Sequence, residues 1–281
     1  MKYYIGIVLL FSSVLTFGQI PVSYSKCLES EGWVIDVQKQ KKLNLSTKLA
    51  TEPEFEWVFD WKNREDSSSL DNLHIVDFNC DGILDVIFDG NIGSESDRIV
   101  FMKGNPDGRF SKVIGLWGAF IDISTNDGFT PMSFMINNYS CCSGVMNHLE
   151  RYTPIWTSSD FEYQLQEKYA KYYTLAIPNE RLKEPIKFVT TTEKYNLRLD
   201  PLINDTIVLE HGEVGNTIAE YPKGSLGIGI AKHKDETGRI WWFVKMINNI
   251  DPNWSLYHDG DNNNANSYYL GWISSRYVTR L

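Results

Sequence analysis

Leu73-His-Ile-Val-Asp77-Phe-Asn79-Cys-Asp81-Gly82-Ile83-Leu-Asp85-Val-Ile-Phe88 is the stretch on which the reading of the chain turns. Two short β-prone runs, Leu73–Val76 and Val86–Phe88, flank a segment of the pattern D-x-N-x-D-G-x-x-D. Oxygen donors at positions 1, 3 and 5 converge as the chain curls. Gly82 permits the sharp turn, and the Ile83 carbonyl falls at position 7, where calcium loops use a backbone oxygen. Asp85 closes the set at position 9. Without a cation the three carboxylates crowd one another, at roughly 1–4 kcal/mol per close pair. Hard oxygen donors with no His or Cys among them select calcium over transition metals. The metal set is therefore Asp77, Asn79, Asp81, Ile83 and Asp85. Phe88 stands at position 12 in place of a glutamate, and the flanks are strands, so the unit is no EF-hand. The plain alternative is an Asp/Asn/Gly turn that hydrogen-bonds to itself.

Working outward, helix signals are scarce, and Lys39–Leu49 is the one candidate. Short β-rich runs broken by Gly, Asn, Asp and Pro predict an all-β chain. The expected strands are Glu56–Trp61, Leu73–Val76, Val86–Asp89, Ile99–Lys103, Phe134–Asn138, Phe161–Lys168 and Tyr172–Ile177. The segment Asn179–Pro185 carries prolines and charges and reads as a linker. It divides a β-domain over residues 20–178 from a second β series over residues 186–281.

Met1-Lys2 followed by the apolar run Tyr3–Phe17 reads as an export signal over residues 1–19, since the run is shorter than the roughly 20 residues of a spanning helix. The mature chain is expected to be secreted, periplasmic or at the cell envelope, with no insertion into the membrane. The net charge of −9 offers no basic stripe for phosphates and argues against nucleic-acid partners. Four cysteines in an exported chain predict two disulfides among Cys27, Cys80, Cys141 and Cys142. A bridge between neighbours would be strained, so Cys141 and Cys142 are expected to pair separately with Cys27 and Cys80. Cys80, at an even loop position, points away from the oxygen set.

The loop and its flanks, His74 to Ile87, resemble the calcium loop of FG-GAP/VCBS repeats, the blades of integrin-type propellers. Val100 to Phe110, with Gly104-Asn-Pro-Asp107-Gly inside it, is similar to the strand and hairpin that follow in such a repeat. The motif occurs once, so the resemblance implies one propeller-blade-like calcium unit. Further on, Tyr195–Pro201, Gly215–Gly224, Trp241–Lys245 and Gly271–Val278 resemble, in order, the pieces of a bacterial SH3-like (SH3b) barrel. Two segments are long for that family: Asp205–Glu213 and Asn248–Tyr269. The resemblance implies a small barrel that binds cell-wall peptides or a peptide segment of an envelope protein. It marks Tyr221, Trp242, Trp254, Tyr268 and Trp272 as groove residues, against the plain alternative that most are core fillers.

No H-E-x-x-H, nucleophile elbow, P-loop or dinucleotide fingerprint occurs. Cys142 and His148 are too weakly associated to define a dyad. The expectation is an exported, non-catalytic, calcium-stabilised binding protein. Its competitor is a cell-wall hydrolase that uses the barrel for targeting.

Overall fold

Apolar residues at consecutive positions, as in Val86-Ile-Phe88 and Ile99-Val-Phe-Met102, suit strands covered on both faces. The computed structural model describes residues 44–45, 48–49, 51, 72–91, 97–123, 131–139, 146–157, 160–178, 180–210, 212–256 and 267–281. Within them the chain is nearly all β, an all-β fold. Strands β1 (Leu73–Val76), β2 (Asp85–Asn91), β3 (Asp97–Gly104) and β4 (Phe110–Trp117) form an antiparallel meander. Phe88, Val100 and Met102 share one face with Leu49, while Ile87, Ile99 and Phe101 face the next sheet. Leu49 belongs to the expected Lys39–Leu49 helix, of which residues 44–45 and 48–49 are helical and the rest lies outside the described residues. The export signal, the Glu56–Trp61 strand and Cys27, Cys141 and Cys142 also lie outside them.

Strands β5 (Ala119–Ile123), β6 (Phe134–Tyr139), β7 (Met146–Trp156) and β8 (Phe161–Tyr172) form a second antiparallel run. It packs on the first sheet through aromatics. Phe101 stacks on Phe134 at 4.7 Å and meets Phe78 edge-on at 5.1 Å. Such pairs add about 0.5–1.5 kcal/mol beyond their buried area. The two strands expected over Phe161–Ile177 are one strand through Tyr172 and then a turn, closed by the Leu175 amide donating to the Tyr172 carbonyl at 2.9 Å.

The remaining strands are β9 (Ile186–Thr190), β10 (Tyr195–Arg198), β11 (Thr217–Tyr221), β12 (Leu226–Lys234), β13 (Ile240–Met246), β14 (Trp254–Ser255), β15 (Ser267–Ser274) and β16 (Val278–Arg280). Residues 179–185 link β8 to β9 in sequence, yet the sheet itself is continuous. Its order is β16-β9-β12-β13-β15-β8-β7-β6-β5, because the start of β15 pairs in parallel with the end of β8. One apolar cluster joins Met135, Leu149 and Tyr169 to Phe188, Phe243 and Trp272.

β15 pairs with β8 at residues 267–269 and meets β10 at Trp272. Gly271 sits at that exchange, where a Cβ would lie 2.7 Å from Leu197 Cγ and 3.0 Å from the Arg198 carbonyl oxygen. Gly271→Ala is therefore expected to destabilise the protein by about 1–3 kcal/mol through overpacking, read from urea denaturation. Gly229→Ala, whose Cβ meets its nearest atoms at 3.6 Å, should cost clearly less. Equal losses at the two positions would remove the crowding argument.

Candidate functional site

The β1–β2 register, Val76 opposite Asp85, makes residues 77–84 a loop held at both ends by paired strands. Inside it, side-chain oxygens collect backbone amides. Asp77 Oδ1 accepts from the Asp81 amide at 3.1 Å and Asp77 Oδ2 from Gly82 at 2.9 Å. Asn79 Oδ1 accepts from Asp81 at 3.0 Å, and Asp81 Oδ1 from Ile83 at 2.8 Å. The curl uses two left-handed residues, Gly82 at φ +84° and Cys80 at φ +61°. The structure thus brings Asp77, Asn79 and Asp81 together on one turn.

Asp85 faces inward. Its carboxylate is fully buried and accepts from the Phe78 amide at 3.1 Å and the Gly104 amide at 2.8 Å. It therefore ties the loop and the β3–β4 hairpin to the start of β2. Burial pushes its pKa up to about 7, against the lowering effect of the two amides, and the charges of Asp81 and Asp77 raise it further. Among the described residues no three His, Cys, Asp or Glu side chains stand in a metal-holding group. Three observations bear on a cation. The loop donors are oxygens; each carboxylate oxygen keeps a second lone pair after its amide bond; and Asp85 feels the negative charges of Asp81 and Asp77. Donor chemistry fits calcium, and Asp85 already has a second task as a backbone clamp.

Sequence reading missed Tyr163. Its ring packs on Phe78, Phe101, Phe134 and Phe161. Its hydroxyl is buried with no hydrogen-bond partner among the described residues and interacts electrostatically with Asp85 and Cys80. Burial foremost, then those two groups, raises its pKa. Nothing in the local sequence around position 163 signals this, because the proximity arises from sheet packing.

A cleft of about 290 Å³ lies where the segment after β8 meets the later strands. Ile177, Pro178 and Glu180 line it with Asp200, His233 and Trp272; Lys232 also borders it, but its pairing with Trp242 puts its side chain on the other face of β12. The His233 ring lies 6.2 Å from that of Trp272, edge to face. Burial raises the pKa of Asp200. The segment after β8 is fixed by Lys171, whose buried ammonium donates to the carbonyls of Tyr173 at 2.9 Å and of Tyr172 and Leu175 at 3.4 Å. Burial lowers the Lys171 pKa to about 8.

The five aromatics expected to form one groove are dispersed. Trp272 alone among them lines the cleft. Trp242 pairs with Ile273 and Phe243 with Trp272, so the two tryptophans project from opposite faces of the sheet. Trp242 is buried against Phe188, under the Arg280 guanidinium. Tyr221 is core, opposite Tyr195, while Trp254 pairs with Glu220 on the other face of β11 and is half exposed. Tyr268 lies at the β8–β15 junction, 5.9 Å from the Tyr169 ring. Aromatic content announces a strand, but only pairing register tells which face each ring takes.

Searches against family models, curated proteins and solved structures return no match.

Two outcomes follow from this geometry. Asp85→Ala orphans two buried amides and should cost about 2–6 kcal/mol, whereas Asp85→Asn, which keeps one acceptor, should cost less; equal effects in urea melts would deny the clamp. Lys171 has its folded pKa below its unfolded value, so the unfolded chain binds more protons between about pH 8 and 10.5. Its contribution to stability should therefore rise with pH across that window. Lys171→Met should flatten the rise, and parallel wild-type and variant curves would contradict the assignment.

Proposed function

We propose that the protein is an exported, non-catalytic binding protein of the cell envelope that takes a short peptide, from peptidoglycan or from an envelope protein, into the cleft beside Trp272. One observation carries this reading: the cleft combines apolar walls with the acids Glu180 and Asp200 and with the imidazole of His233. A peptide terminus carries an amine or a carboxylate beside a side chain, and the cleft offers acidic groups for the one, an imidazole for the other and apolar walls for the side chain. The volume sits at the small end of ligand sites, which begin at about 300 Å³, and suits a terminus or one or two residues. The second half of the chain is read as an SH3-like barrel, and the disulfides among Cys27, Cys80, Cys141 and Cys142 belong to the same exported reading.

In this account calcium is the cofactor of the first half, held by Asp77, Asn79, Asp81, the Ile83 carbonyl and Asp85. Its role is structural, because Asp85 ties the loop directly to the β3–β4 hairpin. Bound calcium would offset the repulsion among the three carboxylates.

Calorimetric titration of the full chain with a synthetic peptidoglycan stem peptide is the test of the cleft. His233→Ala and Asp200→Asn, at two residues that line the cleft, should each weaken binding about tenfold, or about 1.4 kcal/mol. Unchanged affinity in both variants, or no binding by the wild type, would overturn the assignment. Incubation with isolated walls separates the hydrolase reading, since release of soluble fragments would end the binding-only account.

Thermal melts in calcium and in chelator test the loop. The wild-type midpoint should rise with calcium by about 2–4 °C for each kcal/mol of linkage, while Asp77→Ala and Asp81→Ala should not respond. Identical wild-type melts would remove calcium from the account.

A further inference from the structure

The connection from β10 to β11 carries an unusual surface. Between Leu199 and Asn216 it exposes five aliphatic side chains: Leu202, Ile203, Ile207, Val208 and Val214, from 39% for Ile207 to 70% for Val214. Isolated apolar residues on a surface are ordinary, but five on one short segment mark an interaction site.

The segment is braced from within. Buried Arg198 donates through Nη1 to Asp205 Oδ1 at 2.8 Å and to Asn216 Oδ1 at 2.7 Å. Asn216 Nδ2 donates to the Leu202 carbonyl at 3.0 Å, and Asn204 Oδ1 accepts from the amides of Thr206 at 3.3 Å and Ile207 at 3.0 Å. Val208 and Val214 form a bridge at the tip, and the Gly215 amide donates to the Ile207 carbonyl at 2.7 Å. A shape already ordered loses little conformational freedom on binding.

Charge selects the partner. From Leu199 to Pro222 the sequence has no Lys or Arg, whereas Asp200, Asp205, Glu210, Glu213 and Glu220 are all acidic. Arg198 offsets one of them at Asp205. An acidic collar repels anionic lipid headgroups, and two such collars repel each other, so neither a membrane surface nor a second copy of this chain suits the tip. We infer that the Leu202–Val214 loop is a docking surface for a partner protein that presents an apolar face bordered by lysine or arginine. The surface shares Asp200 with the cleft lining, but its five apolar side chains lie outside that lining, so it survives failure of the cleft reading.

The test uses the full chain and a synthetic amphipathic helix with leucine on one face and lysine on the other. Its controls are the same helix with glutamate for lysine, vesicles containing phosphatidylglycerol, and sedimentation equilibrium of the protein alone. The lysine helix should bind. Val208→Ser/Val214→Ser should weaken that binding about tenfold without a change in thermal midpoint, and Leu202→Ser/Ile203→Ser should act likewise. The glutamate helix should not bind. The proposal is overturned by no binding of the lysine helix, by unchanged affinity in both double variants, or by equal binding of the glutamate helix. It is also overturned by vesicle binding or self-association that the valine variants abolish.

Discussion

Three residues of parallel ladder hold the architecture together. Lys168, Tyr169 and Ala170 at the end of β8 pair with Ser267, Tyr268 and Tyr269 at the start of β15, about a hundred residues later in the chain. Without that ladder the strands before and after it would form separate sheets, joined by side-chain contacts such as Glu167–Lys245. With it, the sheet and the apolar cluster beneath it pass from one half to the other. Parallel pairs need long crossovers and are slightly weaker per residue than antiparallel ones, so side chains must supply the rest.

They do so with charge as well as with rings. Glu167 lies 3.5 Å from Arg151 and 3.6 Å from Lys245, which bridges β7, β8 and β13 over the junction. The Lys245 ammonium sits 4.1 Å from the Tyr268 ring centre and 5.1 Å from that of Tyr169. Burial lowers the Lys245 pKa, and Glu167 works against that shift. Partly buried pairs of this kind contribute little net stability against apolar replacements, while loss of one partner leaves the other charge buried and uncompensated. Here the junction they bridge brings Ile177, Pro178 and Glu180 beside Trp272. The cleft is a product of the junction.

Much of the first sheet was legible in the sequence. Leu73–Val76 is a strand at the expected limits, and β2 and β3 differ from expectation by only a few residues at their ends. Their apolar runs and the Asp/Gly loop between them are strong local signals. β4 was missed because Phe110–Trp117 is half-buried almost throughout and shows no alternation. The β8–β15 pairing had no local signal at all, since a parallel partner is chosen by packing elsewhere. At the acidic loop the residue types were legible, but the inward turn of Asp85 was not. That turn depends on the Gly104 amide, nineteen residues away. The groove aromatics show the same limit: Trp242 and Trp272 look alike in sequence, and register puts them on opposite faces.

Native-state hydrogen exchange reads the junction directly. Backbone amides of residues 168–170 and 267–269 that take part in the ladder should open only with the free energy of the sheet core, matching protected amides in β7 and β13. Exchange at the junction as fast as in surface loops, with β7 and β13 still protected, would contradict a continuous sheet, because the two halves would then be separate units.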